Sequence, residues 1–202
     1  MTTLYFSPLS QHSRRVVSLL EEAGIPYEAK LVDMMKGEHV SAEFLAINPN
    51  HQVPTLVDGD LKLHESNTIL RYLCAKHALV DWYPEDLAAR AEVEQWLDWT
   101  QCRMSPAVVN IVFNRVFMGD KGDKTAIERG ISTMKELNQI FDQALEGKEF
   151  ITGDKPTIAD LALASNIFHL GLAKEIPTQS NIQAWYERIC KMEGFKKSLP
   201  NM

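Results

Sequence analysis

Residues 48–72 constrain the fold of this chain most strongly. Val53-Pro54 precedes the short apolar run at residues 55–57, and proline is tolerated at the first residue or edge of a strand but not inside one. Residues 58–60 read Asp-Gly-Asp between two short apolar runs, which predicts a β-hairpin. A cis bond between Val53 and Pro54 would turn the Val53 backbone outward, leaving its N–H and C=O free to pair with an extended ligand.

The residues after this hairpin predict a helix with an anion site at its start. Glu65 and Ser66 stand before Ile69, Leu70 and Leu73, which recur at helical spacing. A serine there can cap the helix, and the unpaired N–H groups of its first turn favour an anion. The sequence leaves a plain helix cap and an anion-binding pair both open.

The first 78 residues alternate between strand and helix patterns. A strand, a helix and a second strand open the chain, which predicts a parallel pair with a right-handed crossover. A short helix, the hairpin and the helix after it complete the order βαβ, short helix, ββα, which is that of a thioredoxin-like α/β domain at residues 1–78. The strands before the hairpin are predicted at residues 4–7 and 27–32, and the helices at residues 14–23, 41–45 and 66–76.

The rest of the chain has only helical periodicity. Residues 79–87 are expected to be a linker, and residues 88–202 are expected to form an all-helical domain. Pro106 falls inside the long helical pattern of residues 88–117 and should kink or break it. Thr157 and Asp160 have the spacing of a capping box at the start of the most apolar helix.

Composition limits the possible partners. The net charge is −6 and no basic cluster is present, which argues against nucleic acid or an anionic membrane as a partner. No apolar run approaches the roughly 20 residues that span a bilayer. The three cysteines are widely spaced and form neither a CxxC motif nor a zinc spacing, which predicts no metal site and favours the reducing cytoplasm.

The succession of Val53-Pro54, the hairpin and Glu65-Ser66 resembles the glutathione-binding half of the glutathione S-transferase family. The two predicted domains, thioredoxin-like and then all-helical, are similar to the whole architecture of that family. The resemblance implies that glutathione is the co-substrate. It also implies that the Val53-Pro54 backbone pairs with the cysteinyl part of glutathione, while Glu65 and Ser66 hold the γ-glutamyl amine and carboxylate.

A free thiol has a pKa near 8.5, so at neutral pH its protonated form exceeds its thiolate form by about tenfold or more. Activation of the thiol therefore needs a further group. A hydroxyl that donates to sulfur at a helix N-terminus stabilises the thiolate. The loop at residues 7–15 offers such donors, and chemistry alone does not choose among them. The candidates are Ser7, Ser10, Ser13 and His12.

Two segments resemble the theta class of the family. Residues 4–11 contain Leu-Tyr followed by Leu-Ser-Gln, and residues 32–39 read Val-Asp-Met-Met-Lys-Gly-Glu-His. The resemblance implies that Ser10 stabilises the thiolate and that His39, with Gln52, binds the glycine carboxylate of glutathione.

The resulting hypothesis is an enzyme, a glutathione S-transferase that conjugates glutathione to small hydrophobic electrophiles, with halogenated compounds or peroxides as variants. The family implies a cytoplasmic homodimer that acts in detoxification. The alternative is a non-catalytic interaction protein on the same fold, since fold does not fix function. A glutathione-dependent isomerase or reductase is disfavoured because the loop at residues 7–15 has no cysteine.

Overall fold

The computed structural model describes residues 2–200 and divides into two compact units. The first unit contains the described residues up to Leu79 together with those from Lys191 onward, and the second contains Val80–Cys190. Among the described residues, no helix is both long and apolar enough to cross a membrane.

A four-stranded sheet in the order β2-β1-β3-β4 forms the centre of the first unit. β1 pairs with β2 in parallel, whereas the β1–β3 and β3–β4 pairs are antiparallel. The predicted hairpin joins β3 to β4, and Gly59 adopts φ 62°, a left-handed conformation that a tight turn requires. The strands are β1 (Thr2–Phe6), β2 (Glu28–Leu31), β3 (Thr55–Asp58) and β4 (Leu61–Leu63).

The helices of the first unit follow the predicted order, so the thioredoxin-like fold is confirmed. The first helix begins three residues earlier than the periodicity indicated, because the Ser13 N–H donates to the Ser10 side-chain oxygen at 3.2 Å and caps it there. The helix at residues 66–76 lies where it was predicted. The helices are α1 (Gln11–Glu22), α2 (Ala42–Leu45) and α3 (Ser66–Lys76), with a 3₁₀ turn at Glu38–Val40.

The last helix of the chain, α9 (Glu193–Lys197), packs against α1 in the first unit. Gly194 permits this approach, since a Cβ there would lie 2.4 Å from both the Glu22 nitrogen and the Ser18 oxygen. The Ser18 hydroxyl also donates to the Ser198 hydroxyl at 2.9 Å. The predicted domain ranges, residues 1–78 and 88–202, did not anticipate this return of the chain to the first unit.

The second unit is helical, as predicted. Pro106 lies in the first turn of α5, and a π-helical turn directly precedes that helix, so the long helical pattern changes its hydrogen bonding near the residue that lacks an N–H. The helices are α4 (Leu87–Trp99), α5 (Ser105–Val112), α6 (Lys124–Ala144), α7 (Ile158–Leu172) and α8 (Ser180–Lys191), with π turns at Thr100–Met104 and Phe113–Phe117 and a 3₁₀ turn at Gly119–Lys121.

The segment expected as a linker packs against the second unit from Val80 onward. The Trp82 carbonyl accepts a hydrogen bond from the Ile158 N–H at 3.1 Å. Arg90 donates to the Pro84 carbonyl at 2.7 Å, and its guanidinium lies 4.9 Å from the centre of the Tyr83 ring. These contacts attach residues 82–84 to the helical core.

Asp160 is the polar centre of the second unit and is fully buried. Its carboxylate accepts from the Thr157 N–H at 2.8 Å, the Thr157 hydroxyl at 3.1 Å, the Ile151 N–H at 2.9 Å and the Trp185 indole at 2.8 Å. Burial raises the pKa of the Asp160 carboxyl, while these donors act in the opposite direction. The carboxylate therefore ties the start of α7 to the preceding loop and to α8.

Candidate functional site

The register of the sheet brings the segments with the predicted site residues to one edge. β1 and β2 run in parallel with Phe6 opposite Leu31, and β3 runs antiparallel to β1 with Thr55 opposite Tyr5. β4 returns antiparallel to β3, so it ends beside the start of β3. The loops that leave β1, β2 and β4 and the loop that enters β3 therefore share this edge. They carry Ser10, His39, Glu65, Ser66, Gln52, Val53 and Pro54.

Ser10 lies at the N-cap of α1 and is half-buried. Its side-chain oxygen accepts from the Ser13 N–H at 3.2 Å, so its hydroxyl hydrogen remains available for donation. Ser13 is fully buried, and its side-chain oxygen accepts from the Ser7 N–H at 3.3 Å. Ser10 therefore caps α1 and also keeps its hydroxyl donor free at the helix N-terminus.

The Val53-Pro54 peptide bond is cis. The Gln52 carbonyl accepts from the Asn48 amide at 2.9 Å and from the Thr55 hydroxyl at 3.1 Å. Within the described part of the chain, no hydrogen bond engages the Val53 N–H or C=O. An unpaired backbone group near a sheet edge can pair with an extended peptide, as a strand would.

Glu65 and Ser66 begin α3, with Glu65 at the N-cap and Ser66 as the first helical residue. Glu65 has φ 66°, and its side chain makes no capping hydrogen bond. Ser66 is buried at 4% exposure and does not occupy the cap position that the sequence allowed for it. A plain helix cap therefore does not explain this pair, and the positive end of the α3 dipole favours an anion there.

His39 and Gln52 lie on loops at the same edge of the sheet. His39 is half-buried in the 3₁₀ turn Glu38–Val40, and its Nδ1 is buried without a hydrogen-bond partner. Gln52 is exposed directly before Val53. An imidazole and an amide side chain both carry N–H groups that can donate to a ligand.

Sequence reasoning missed Arg15, which is fully buried on α1. One guanidinium nitrogen donates to the Asn67 side chain at 2.9 Å, and two others have no partner. Burial lowers the pKa of Arg15 to about 9, although the negative charge of Glu65 acts to raise it. The available signal was spacing, since Arg15 stands four residues before the buried Leu19 and shares its face of the helix.

The apolar side chains between Trp99 and Phe117 in the second unit differ in exposure. Met104 and Val108 are fully buried core residues of the second unit. Trp99 packs against Trp96 with ring centroids 5.1 Å apart. Exposed apolar side chains do occur on the same stretch of chain, at 51% for Phe113 and 44% for Phe117.

The described residues offer no metal cluster, and the Cys74 thiol is not activated. No group of three or more His, Cys, Asp or Glu side chains is arranged to hold a metal ion in residues 2–200. Burial raises the pKa of the Cys74 thiol to about 12, so this thiol is protonated at neutral pH.

The chain matches two family models in sequence order. Residues 1–75 match the glutathione S-transferase N-terminal domain, and residues 104–193 match the C-terminal domain. The chain belongs to the glutathione S-transferase family. The resemblance found in the sequence is confirmed, and so is the assignment as a transferase enzyme.

Glutathione S-transferases of two classes are similar to the chain over most of its length. Glutathione S-transferase F10 of Arabidopsis thaliana is 32% identical, covering 98% of this chain and 96% of the relative. Glutathione S-transferase theta-1 of Homo sapiens is 32% identical, covering 92% of this chain and 81% of the relative. The theta-like character predicted from the loops is therefore accompanied by similarity to an F-type plant transferase.

Solved glutathione S-transferase structures have the same fold. The apo form of human glutathione S-transferase T1-1 matches with a TM-score of 0.91 at 29% identity, covering 98% of this chain and 87% of the other. A glutathione transferase family member from Pseudomonas fluorescens, solved with two glutathione bound, matches with a TM-score of 0.90 at 28% identity. That match covers 98% of this chain and 91% of the other.

Proposed function

We propose that this glutathione S-transferase conjugates glutathione to small apolar electrophiles, with the Ser10 hydroxyl stabilising the glutathione thiolate. The observation that carries the proposal is the shared sheet edge, where unpaired donors and acceptors lie on four neighbouring segments. A non-catalytic relative could lose any of these groups without losing its fold. In this chain, all the residues that the proposal assigns to glutathione are present.

The peptide part of glutathione fits the unpaired Val53 backbone. The cysteinyl residue of glutathione would run antiparallel to this backbone and take the free N–H and C=O groups of Val53. This pairing would fix the position of the cysteinyl sulfur relative to the protein.

The γ-glutamyl end of glutathione carries an ammonium and a carboxylate, and the start of α3 offers a group for each. Glu65 is an exposed carboxylate without a hydrogen bond to its own helix, and it suits the ammonium. Ser66 and the positive end of the α3 dipole suit the carboxylate. The glycine carboxylate at the other end is assigned to His39 and Gln52.

The reaction we propose is a nucleophilic substitution or addition by sulfur. The thiol of bound glutathione loses its proton to solvent, and the Ser10 O–H donates to the resulting thiolate. Sulfur then forms a bond to the electrophilic carbon. In an alkyl or aryl halide the carbon–halogen bond breaks, and the halide leaves with the bonding electron pair.

Ser10 is favoured over the other donors of its loop by its burial and bonding. Ser13 is fully buried, and its oxygen already accepts from Ser7. His12 lies 3.4 Å from the Gln11 side chain, measured between nitrogen atoms. Ser7 and His12 remain the alternatives to Ser10. The homodimer, the cytoplasmic location and a role in detoxification remain predictions from the family.

The experiment for this proposal measures binding and turnover on the same preparation. Calorimetric titration is expected to give a dissociation constant for glutathione between roughly 1 μM and 1 mM, the usual range for an enzyme substrate. Conjugation should then be detected with an aryl halide such as 1-chloro-2,4-dinitrobenzene, or peroxide reduction with cumene hydroperoxide. S-methylglutathione is the control, since it should bind without reacting.

Two results would contradict the proposal. Failure to bind glutathione would favour the non-catalytic interaction protein. Glutathione binding without turnover of either type of substrate would leave a binding protein that does not transfer the thiol.

A further inference from the structure

A cavity of about 270 Å³ lies within the second unit, between α5, α6, α7 and the loop that joins α7 to α8. Ile111, Met134 and Leu170 line it and are buried. Ile176 and Thr178 also line it and are exposed, so the cavity is open to solvent on the side of this loop. An apolar cavity of roughly 150 Å³ is large enough to bind benzene. The present cavity therefore has room for a substituted aromatic ring.

Two side-chain amides in the wall of the cavity have acceptors that no donor reaches. The Oδ1 atom of Asn138 and the Oε1 atom of Gln179 are buried, and neither has a hydrogen-bond partner among the described residues. A buried acceptor of this kind destabilises a fold until a donor reaches it. A ligand with an O–H or N–H group would supply the donor that the protein does not.

Two charged side chains line the cavity, and only the positive one lacks an ionic partner within residues 2–200. The Arg115 guanidinium donates to the Glu175 carboxylate at 2.6 Å and to the Ala173 carbonyl at 2.9 Å, so the acid is already neutralised. Lys135 is exposed and makes no salt bridge in the described chain. Its flexible stem allows the ammonium to reach an anion at the opening of the cavity.

We propose that this cavity binds a small apolar carboxylate that also carries a hydroxyl or N–H donor. The ligand carboxylate would accept from Lys135, its donor would reach the amide oxygens of Asn138 and Gln179, and its apolar body would contact Met134 and its buried neighbours. Every lining residue belongs to the second unit, whereas every residue assigned to glutathione belongs to the first. The inference therefore does not depend on the proposed function.

The probe for this site is 4-hydroxyphenylacetate, which combines an aromatic ring, a carboxylate and a hydroxyl. Titration of the full chain, followed by its amide NMR signals, should give one site with a dissociation constant on the order of 0.1–1 mM, as for a ligand of about 11 non-hydrogen atoms. The largest shifts should fall on the cavity-lining parts of α6 and of the loop before α8. Saturation with S-hexylglutathione, an analogue of a conjugation product, should leave this binding unchanged.

Two analogues separate the polar contacts. Phenylacetate lacks the hydroxyl, and methyl 4-hydroxyphenylacetate lacks the charge. Each should bind several-fold more weakly than 4-hydroxyphenylacetate, because each loses one of the proposed contacts.

The matched variants remove one protein group at a time. Lys135→Met keeps an apolar stem without the charge, so it should weaken binding of 4-hydroxyphenylacetate several-fold and leave the methyl ester unaffected. Lys124→Met, at an exposed lysine of the same helix outside the cavity, is the control and should change neither affinity. Asn138→Leu removes an unpaired acceptor, so it should raise the midpoint of thermal unfolding and reduce the preference for 4-hydroxyphenylacetate over phenylacetate. A purely structural role for Asn138 predicts an unchanged preference.

Three results would overturn this inference. The first is no binding of 4-hydroxyphenylacetate, and the second is displacement of this compound by S-hexylglutathione, which would place it at the transferase site. The third is equal affinity for all three compounds, which would remove the proposed roles of Lys135 and the two amides. Failure of the chain to bind glutathione would overturn the proposed function but not this inference, since the NMR shifts locate the probe independently.

Discussion

Replacement of Ser10 by Ala is expected to lower kcat/KM for conjugation by roughly 10- to 100-fold, with little change in the dissociation constant for glutathione. The loss corresponds to one hydrogen bond to a charged atom, which contributes about 1.5–3 kcal/mol. Binding should survive because, in the proposed site, residues other than Ser10 hold the charged ends of glutathione. Steady-state kinetics and calorimetry on the same variant measure the two quantities.

A control is needed because Ser10 also caps α1, and loss of a cap alone costs about 1 kcal/mol of stability. Ser41→Ala removes an equivalent bond, since the Ser41 oxygen accepts from the Phe44 N–H at 3.2 Å at the start of α2. This control should lose similar stability and retain kcat/KM. Full activity in Ser10→Ala would refute the assignment, and loss of activity in Ser7→Ala instead would transfer the role to Ser7.

Asp160→Ala is expected to produce the largest loss of stability of any substitution considered, more than about 3 kcal/mol in the free energy of unfolding. The change removes a fully buried acceptor and leaves the donors of Ile151, Thr157 and Trp185 unpaired. Each unpaired buried donor costs roughly 1–3 kcal/mol. Denaturant unfolding followed by circular dichroism measures the difference.

Two milder variants test this explanation. Thr157→Ala retains the carboxylate and the backbone donors, and should cost about 1 kcal/mol. Trp185→Phe removes the indole donor, which leaves one lone pair of Asp160 unfilled, and part of a fully buried ring. Its cost should therefore lie between the other two. An Asp160→Ala loss no larger than that of Thr157→Ala would show that the carboxylate does not organise the second unit.

The sequence predicted those elements that depend on local patterns. The helix at Ser66–Lys76 and the hairpin turn around Gly59 were expected from apolar spacing and turn residues, and the structure has both. Pro106 indicated a disturbance of the long helix, and it lies in the first turn of α5, which directly follows a π-helical turn. Local chemistry determined all three features.

The features that sequence patterns missed depend on contacts between distant residues. The packing of α9 on α1 requires a close approach between Gly194 and Ser18, which are far apart in the chain. Burial of Arg15 likewise depends on the position of α3. Periodicity does not report contacts of this kind.

The measurement that tests the central claim most directly is an ultraviolet titration of the glutathione thiolate on the protein, with and without Ser10→Ala. The account predicts that the pKa of the bound thiol lies at least about one unit below the ordinary thiol value of about 8.5. Ser10→Ala should return it most of the way to that value. A bound thiol that titrates like the free one in the unmodified chain would contradict the account.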